Sequence, residues 1–389
     1  MRFCYIRYMR FLPFLCFILC SNPCKPQDFD FARTIVDTLS SSRFWGRGYT
    51  NNGLGKTADF LESQYLAFGI KPLKNGSYIQ TFEYAVNTFP SSVSLILNGT
   101  RLHPGKDFII APESRGIRGN YKLSRIDSTT YANKEARILV KLEKKLTWSV
   151  AHVIADYTSI LIDNSSLQSE PKWIDVDVVN HFIPEFQAEN ICGMVEGTSR
   201  PDSMIVISAH YDHLGGMGDS TFFPGANDNA SGIALLLNLA KFYSTHPQRY
   251  SMVFICFSGE EAGLLGSKYF TENPLADLSK IRFLLNIDIA GTGDEGITVV
   301  NATEHPNEYS LIKTLNGSGQ YLRDIASRSK AANSDHYWFS EKGIPSFFIY
   351  TRGGIKAYHD IYDRPETLPL TVHTKLMELI LKFNEQLIN

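Results

Sequence analysis

Cysteine is scarce and badly placed for a disulfide scaffold. Of six in 389 residues, Cys4, Cys16, Cys20 and Cys24 fall at the very start, which leaves Cys192 and Cys256 in the body of the chain. Two cysteines make no framework. An excess of one charge is also missing: 38 Lys and Arg stand against 40 Asp and Glu, a formal charge of -2 with no long basic run. Without that electrostatic footprint, nucleic acid is excluded as a partner and a small or peptidic substrate is expected. Nor is there an apolar run of the roughly 20 residues needed to cross a bilayer. The apolar run 11–19 is shorter, follows Arg2, Arg7 and Arg10, and ends in a polar break at 21–23. It reads as an export signal over 1–24, which places the mature protein in the periplasm, outside the cell or at its surface. Cys20 follows the run where a lipid-acceptor cysteine would sit, although Leu19 is bulky where such sites carry a small residue. Lipid anchoring there stays an alternative.

What is present is globular: 43% hydrophobic and 12% aromatic residues, with ample length for a buried core and for two domains or one domain with an insertion. Apolar spacing predicts helices over 31–39 and 58–68, the second closed by Gly69. From 78 to about 195 the texture changes to short alternating runs such as 92–97, 138–142 and 159–162, separated by turn dipeptides. Beyond 204, apolar strands (204–207, 252–257, 283–287, 345–350) alternate with amphipathic helices (232–243, 263–270, 334–341, 373–387). The expected fold is α/β, a mixed, mostly parallel sheet sandwiched by helices, formed by 25–80 and 190–389 and interrupted by a β-rich insert over 81–189.

In open α/β sheets the ligand crevice lies at the carboxyl ends of the strands. Here those ends are crowded with imidazole and carboxylate: His210 in Ser-Ala-His-Tyr-Asp-His after the strand at 204–207, Asp228 in Pro-Gly-Ala-Asn-Asp-Asn-Ala-Ser-Gly before a helix, Glu260 and Glu261 after 252–257, Asp288 after 283–287, and His359 after the last strand. Each has an ordinary explanation in isolation, Asp228 as a helix cap or His359 as a loop histidine. Together they resist it. Two carboxylates at a buried strand's exit repel unless a cation or shared proton compensates, and Asp288 is embedded in nearly continuous core sequence, where an unpaired charge is costly. Nitrogen and oxygen donors without cysteine suit zinc or a similar first-row ion. Five ligands exceed one tetrahedral site and suit two ions sharing a carboxylate.

These motifs, in this order, resemble those of the co-catalytic di-zinc aminopeptidases, a group that includes leucyl-type aminopeptidases and glutamate carboxypeptidase relatives. The likeness runs from Ser208 to Glu366, with a looser one over 57–73. The resemblance implies that His210, Asp228 and Asp288 hold one zinc and Asp228, Glu261 and His359 the other. It further implies that Asp212 orients His210, that Glu260 is the general base, and that peptides are the substrates. Ile289 and Tyr358, each beside a ligand, are candidate apolar lining of the substrate pocket. One departure concerns the oxyanion donor: some relatives carry a tyrosine shortly before Ser-Asp-His, whereas Ala-Ala-Asn precedes Ser334-Asp335-His336. Asp335 and His336 either serve the site or cap the helix that begins there. The insert occupies the place where many relatives carry a protease-associated β domain. Two other outcomes share the resemblance, a single-zinc glutaminyl cyclase and a binding protein without catalysis; zinc per chain separates the three as two, one or none.

Overall fold

Strands that are apolar on both faces must be covered on both, and the long runs flanking the ligand positions behave accordingly. The computed structural model describes residues 28–74 and 76–388. The expected signal segment, with Cys20, lies outside the described residues. Among the described residues, no helix is long and apolar enough to cross a membrane.

A nine-stranded sheet forms the centre. Its strands in chain order are β1 (Lys71–Pro72), β2 (Ile79–Thr88), β3 (His181–Val195), β4 (Arg200–His210), β5 (Tyr250–Phe257), β6 (Ile281–Ile287), β7 (Gly296–Val300), β8 (Ile325–Arg328) and β9 (Ser346–Arg352). In space the order is β1-β3-β5-β4-β6-β9-β7-β8, with β2 also paired to β3. The central four, β5-β4-β6-β9, are parallel. Antiparallel pairs flank them, β3 on β5 and β7 on β9. The carboxyl ends of the parallel strands share one edge, and every site residue named above lies at or beyond it.

Alternation along the strands divides the core in two. Ile205, Ile207, Ala209, Met252 and Phe254 pack beneath helices α1 (Phe29–Leu39), α2 (Gly53–Phe68), α3 (Ser231–Thr245), α5 (Pro306–Gly319) and α7 (His373–Ile388). Met204, Val206, Val253, Ile255 and Phe257 face the other way, against α4 (Leu265–Glu272) and α6 (His336–Glu341) through Phe270 and Phe339. Helix α3 is buried on all sides over its first ten residues, with Ile233 to Leu237 at 0% exposure, and reaches solvent only in its last turn, at Lys241 and Thr245. Asp28 accepts the amide of Phe31 to cap α1, and Gly69 closes α2 in the left-handed conformation at φ +69.

Of the strands and α-helices that follow α3, three have no counterpart in the periodicity reading: β7, α5 and β8. The first and last are short, and α5 buries only Ile312 along its length, so its sequence lacks an apolar stripe. The β-rich insert has its own hydrophobic core, drawn from residues between Phe89 and Val178. It is built from a five-stranded and a four-stranded sheet. The expected bounds 81–189 cut through β2 and β3, which pair with each other as the long antiparallel ladder that carries the chain out of the main sheet and back. The insert core also takes in Leu214, Met217 and Phe223, so it rests on the loop that follows His210.

Candidate metal centre

Each ligand candidate arrives from a different element. His210 closes β4, Asp288 follows β6, Glu260 and Glu261 follow β5, Asp228 lies in a single π-turn at Ala226–Ala230 leading into α3, and His359 lies in the loop after β9. They converge. His210 Nε2 stands 3.4 Å from Asp228 Oδ1 and 3.2 Å from Asp288 Oδ1. His359 Nε2 stands 3.1 Å from both Asp228 Oδ2 and Glu261 Oε2. The donor atoms of His210, Asp228 and Asp288 lie within 4.8 Å of one another, as do those of His213, Asp228 and Glu261. Asp228 therefore faces both groups, one carboxylate oxygen to each.

The charges are far from their ordinary state. Burial opposes the His210 imidazolium, but Asp288 and Glu260 override it and hold its pKa well above normal. At His359 burial is likewise outweighed, by Glu261 and Asp228, and the value is pushed up to about 11. Burial also disfavours the charged form of Glu261, yet His359 and His213 draw its pKa down to about 2. Glu260 goes the opposite way: burial first, then Asp288 and Glu261, keep its carboxyl protonated well above the usual range. Acids and imidazoles here share protons because each is buried beside the other. A divalent cation would take the protons' place, and a set of imidazole nitrogens and carboxylate oxygens is the donor chemistry that zinc takes. The residues fit the metal.

The surrounding side chains explain why the motif has its particular residues. Asn229 donates to the carbonyls of His210 and Ile287 and accepts from the amides of Gly232 and Ile289. Ser231 and Asn227 accept the amides of Ala290 and Gly291. The π-turn is thus sewn to the exits of β4 and β6. Gly225 is required there, since a Cβ would meet the Asp228 carbonyl at 2.3 Å and the φ is +58. Behind Asp288 runs an ordered chain of hydroxyl and amide groups: Ser208 donates to Asn286, Asn286 to Ser334, and Ser334 to Asp288 Oδ2 at 3.0 Å. Asp212, expected behind His210, has a carboxylate oxygen 3.7 Å from His210 Nδ1, which is hydrogen-bonded to the Asp212 backbone carbonyl at 3.2 Å. The Asp212 carboxylate itself accepts the backbone amides of Glu260 and Glu261, each at 3.2 Å. It fixes the acid pair.

Three residues were not singled out by sequence. His213 Nδ1 is hydrogen-bonded to Glu261 Oε1 at 2.7 Å, so Glu261 presents its other oxygen to His359. Asp363 accepts the amides of Asn227 and Asp228, at 2.8 and 3.0 Å, and burial raises its pKa to about 6. Both lie in motifs already dense with ligands, and their company was the available signal. Arg47 had none; it is buried beneath the site. Of the remaining candidates, Tyr358 is 44% exposed with its ring stacked on His359 at 3.9 Å, at the border of the site. Ile289 is half-buried, its backbone left-handed at φ +56 and its amide bound to Asn229. Asp335 is fully buried at the N-cap of α6 yet makes no capping bond; burial raises its pKa to about 7. His336 is a core imidazole packed near Phe348, lowered to about 4 by burial.

Comparison with known proteins identifies the family. Residues 190–384 match peptidase family M28. The chain belongs to that family. Aminopeptidase YwaD of Bacillus subtilis is 30% identical over 185 residues, 46% of this chain and 39% of that protein. A probable leucine aminopeptidase of Trichophyton verrucosum is 22% identical over 298 residues, 70% of this chain and 82% of that one. The chain spans 39% of the Bacillus protein and 22% of a probable zinc metalloprotease from Pyricularia oryzae. Two solved structures share the fold at low identity. One is BSAP, a zinc aminopeptidase from Bacillus subtilis, with a TM-score of 0.68 at 18% identity, covering 92% of this chain and 95% of that one. The other, a peptidase M28 precursor from Shewanella amazonensis, has a TM-score of 0.71 at 15% identity and covers 94% of each chain.

Proposed function

We propose that the protein is an exported aminopeptidase that binds two zinc ions and removes residues singly from the amino ends of peptides. One observation carries the two-metal reading: Asp228 turns one oxygen toward the His210 and Asp288 group and the other toward His359 and Glu261, the disposition of a bridging carboxylate. His210, Asp228 and Asp288 would hold one ion, and Asp228, Glu261 and His359 the other, with His213 orienting Glu261. Bound zinc supplies Lewis acidity, acidifying water and polarising the scissile carbonyl. Glu260 lies outside both groups, clamped through its amide by Asp212. There it accepts the proton of the attacking water and returns it to the departing amine. Asp212 and Asp363 add buried carboxylates around the site, and their negative field favours a substrate's free ammonium group. Export is supported by the arginine-flanked apolar run 11–19.

Metal analysis of the purified chain should find about two zinc ions. A chelator should abolish hydrolysis of an aminoacyl anilide, and zinc or cobalt should restore it; full activity in metal-free protein would discard the mechanism. One ion per chain would favour the glutaminyl cyclase alternative.

Recognition of the amino terminus is testable separately. N-acetylation of a good dipeptide should remove most of its turnover, because it erases the charge that the acid cluster attracts. Equal cleavage of acetylated and free peptides would move the activity to carboxypeptidase or endopeptidase use of the same metals.

A further inference from the structure

The insert sends an irregular segment, 144–152, out of its five-stranded sheet, between the strands Ile138–Glu143 and Thr158–Asp163. That segment lies against the loop carrying His359. The amide of Trp148 donates to the His359 carbonyl at 2.9 Å, and His359 Nδ1 meets the Trp148 carbonyl at 3.0 Å. Lys145 Nζ reaches the carbonyls of Lys356 and Tyr358 at 3.1 and 3.3 Å and the Asp360 carboxylate at 3.2 Å. His152 faces the carbonyls of Ala85 and of Ala262, the residue after Glu261. Trp148 is itself fixed: its indole donates to the Ile110 carbonyl at 2.7 Å and stacks on Phe223 at 4.6 Å.

We infer that this segment is the positioning element for His359, so that the insert is a working part of the metal centre. The inference rests on the two-zinc reading and goes beyond it. A carbonyl can only accept, so the Trp148 carbonyl keeps a proton on Nδ1, and a cation that displaced the proton Nε2 offers to Asp228 and Glu261 would meet the Nε2 lone pair between those carboxylates, where a ligand must point. The loop cannot supply this restraint alone. It opens with Gly353 and Gly354, both left-handed, and His359 itself has φ +52, a conformation that a residue with a Cβ keeps only when outside contacts impose it. His210 needs no such help, because its Nδ1 is bound by the Asp212 carbonyl two residues along. The two metal groups therefore depend on different parts of the chain, the first on the peptidase domain and the second on the insert.

The test is zinc titration of chelator-stripped full-length protein against a chromophoric competitor, with cobalt absorption as a second reading of coordination. In the wild type two ions bind, and His359→Ala loses one of them. Lys145→Met should weaken that same ion by about 10- to 100-fold, the usual effect of removing support behind a ligand, and leave the other unchanged. Lys145→Arg should restore most of the loss, and Arg118→Met, which cuts an exposed pair with Asp177 elsewhere in the insert, should change neither. Affinities in Lys145→Met within twofold of wild type, beside a clear loss in His359→Ala, overturn the inference while the zinc reading stands. A wild type that binds no zinc, or a His359→Ala protein that keeps both ions, overturns the zinc reading itself. Trp148→Phe, which keeps the stack on Phe223 but drops the bond to Ile110, should weaken the same ion. If Lys145→Met does not fold, unchanged affinity in Trp148→Phe overturns the inference equally.

Discussion

Glu260→Gln should lower kcat by about 100-fold or more, the scale of a lost general base, with zinc content unchanged. The amide keeps the volume and geometry of the carboxylate but cannot accept the proton of the attacking water. Metal should stay because Glu260 belongs to neither ligand group, whereas its neighbour Glu261 lies 3.1 Å from His359 Nε2. Glu261→Gln is therefore the informative companion: it weakens a ligand and should shed zinc. KM should move little in Glu260→Gln, since the proton transfer it removes belongs to the transition state and not to binding. Retention of most activity would dismiss Glu260 as the base. Zinc loss in Glu260→Gln with none in Glu261→Gln would exchange the roles of the pair.

The environment of Glu260 gives the prediction its physical basis. Burial and the adjacent Asp288 and Glu261 all favour its protonated form, so the side chain is built to hold a proton. Cations bound at the two groups would offset those negative neighbours and bring the carboxyl back toward a value at which it can both take and give the proton. The Asp212 carboxylate binds the amides of Glu260 and Glu261 together and so fixes the backbone from which both side chains leave.

The parallel strands and the imidazoles and carboxylates gathered at their ends were legible because both follow from burial. A run such as 252–257 must be covered on both faces, and charged residues at its exit stand out against it. The short β7 and the weakly amphipathic α5 carry no such contrast. What sequence could not show is support that runs through the backbone. Trp148 holds His359 by its carbonyl and amide, groups every residue possesses, so nothing in its identity announces the contact. The division of the chain was blurred for a related reason: β2 and β3 read as part of a β-rich stretch, and only their pairing across about a hundred residues attaches them to the main sheet. His213 and Asp363 lay inside conspicuous motifs, and assigning them needed to know which oxygen of Glu261 was free and which amides of the π-turn were bare.

Arg47→Met should remove about 4 kcal/mol or more of stability, a large share of the 5–15 kcal/mol typical of a domain. Arg47 is fully buried and donates five hydrogen bonds, all to backbone carbonyls: Nε to Tyr211 at 2.8 Å, Nη1 to Leu39 at 3.2 Å and Pro224 at 2.7 Å, Nη2 to Gly225 at 2.8 Å and Asp228 at 3.0 Å. A guanidinium has five N–H donors, so all are spent, and one side chain ties the loop after His210 to the turn bearing Asp228. Its own backbone is left-handed at φ +49, next to Gly46, where a Cβ would strike the carbonyls of Gly215 and Phe223 at 2.5 Å. The five bonds offset that strain. Burial draws its pKa down to about 10, with the carboxylates of Asp228, Asp363, Asp212 and Glu261 acting to raise it, so its charge is constant near neutrality and the predicted loss should not vary with pH there. Methionine fills much of the volume but withdraws the guanidinium donors from five carbonyls, of which that of Gly225 keeps the amide of Ala230; a carbonyl left buried and unpaired costs roughly 1–3 kcal/mol. Arg47→Lys, with three donors in place of five, should recover part of the loss. Urea unfolding of the three proteins in zinc-free buffer checks the order, and an Arg47→Met midpoint matching the wild type would show that the guanidinium does not hold the two loops together.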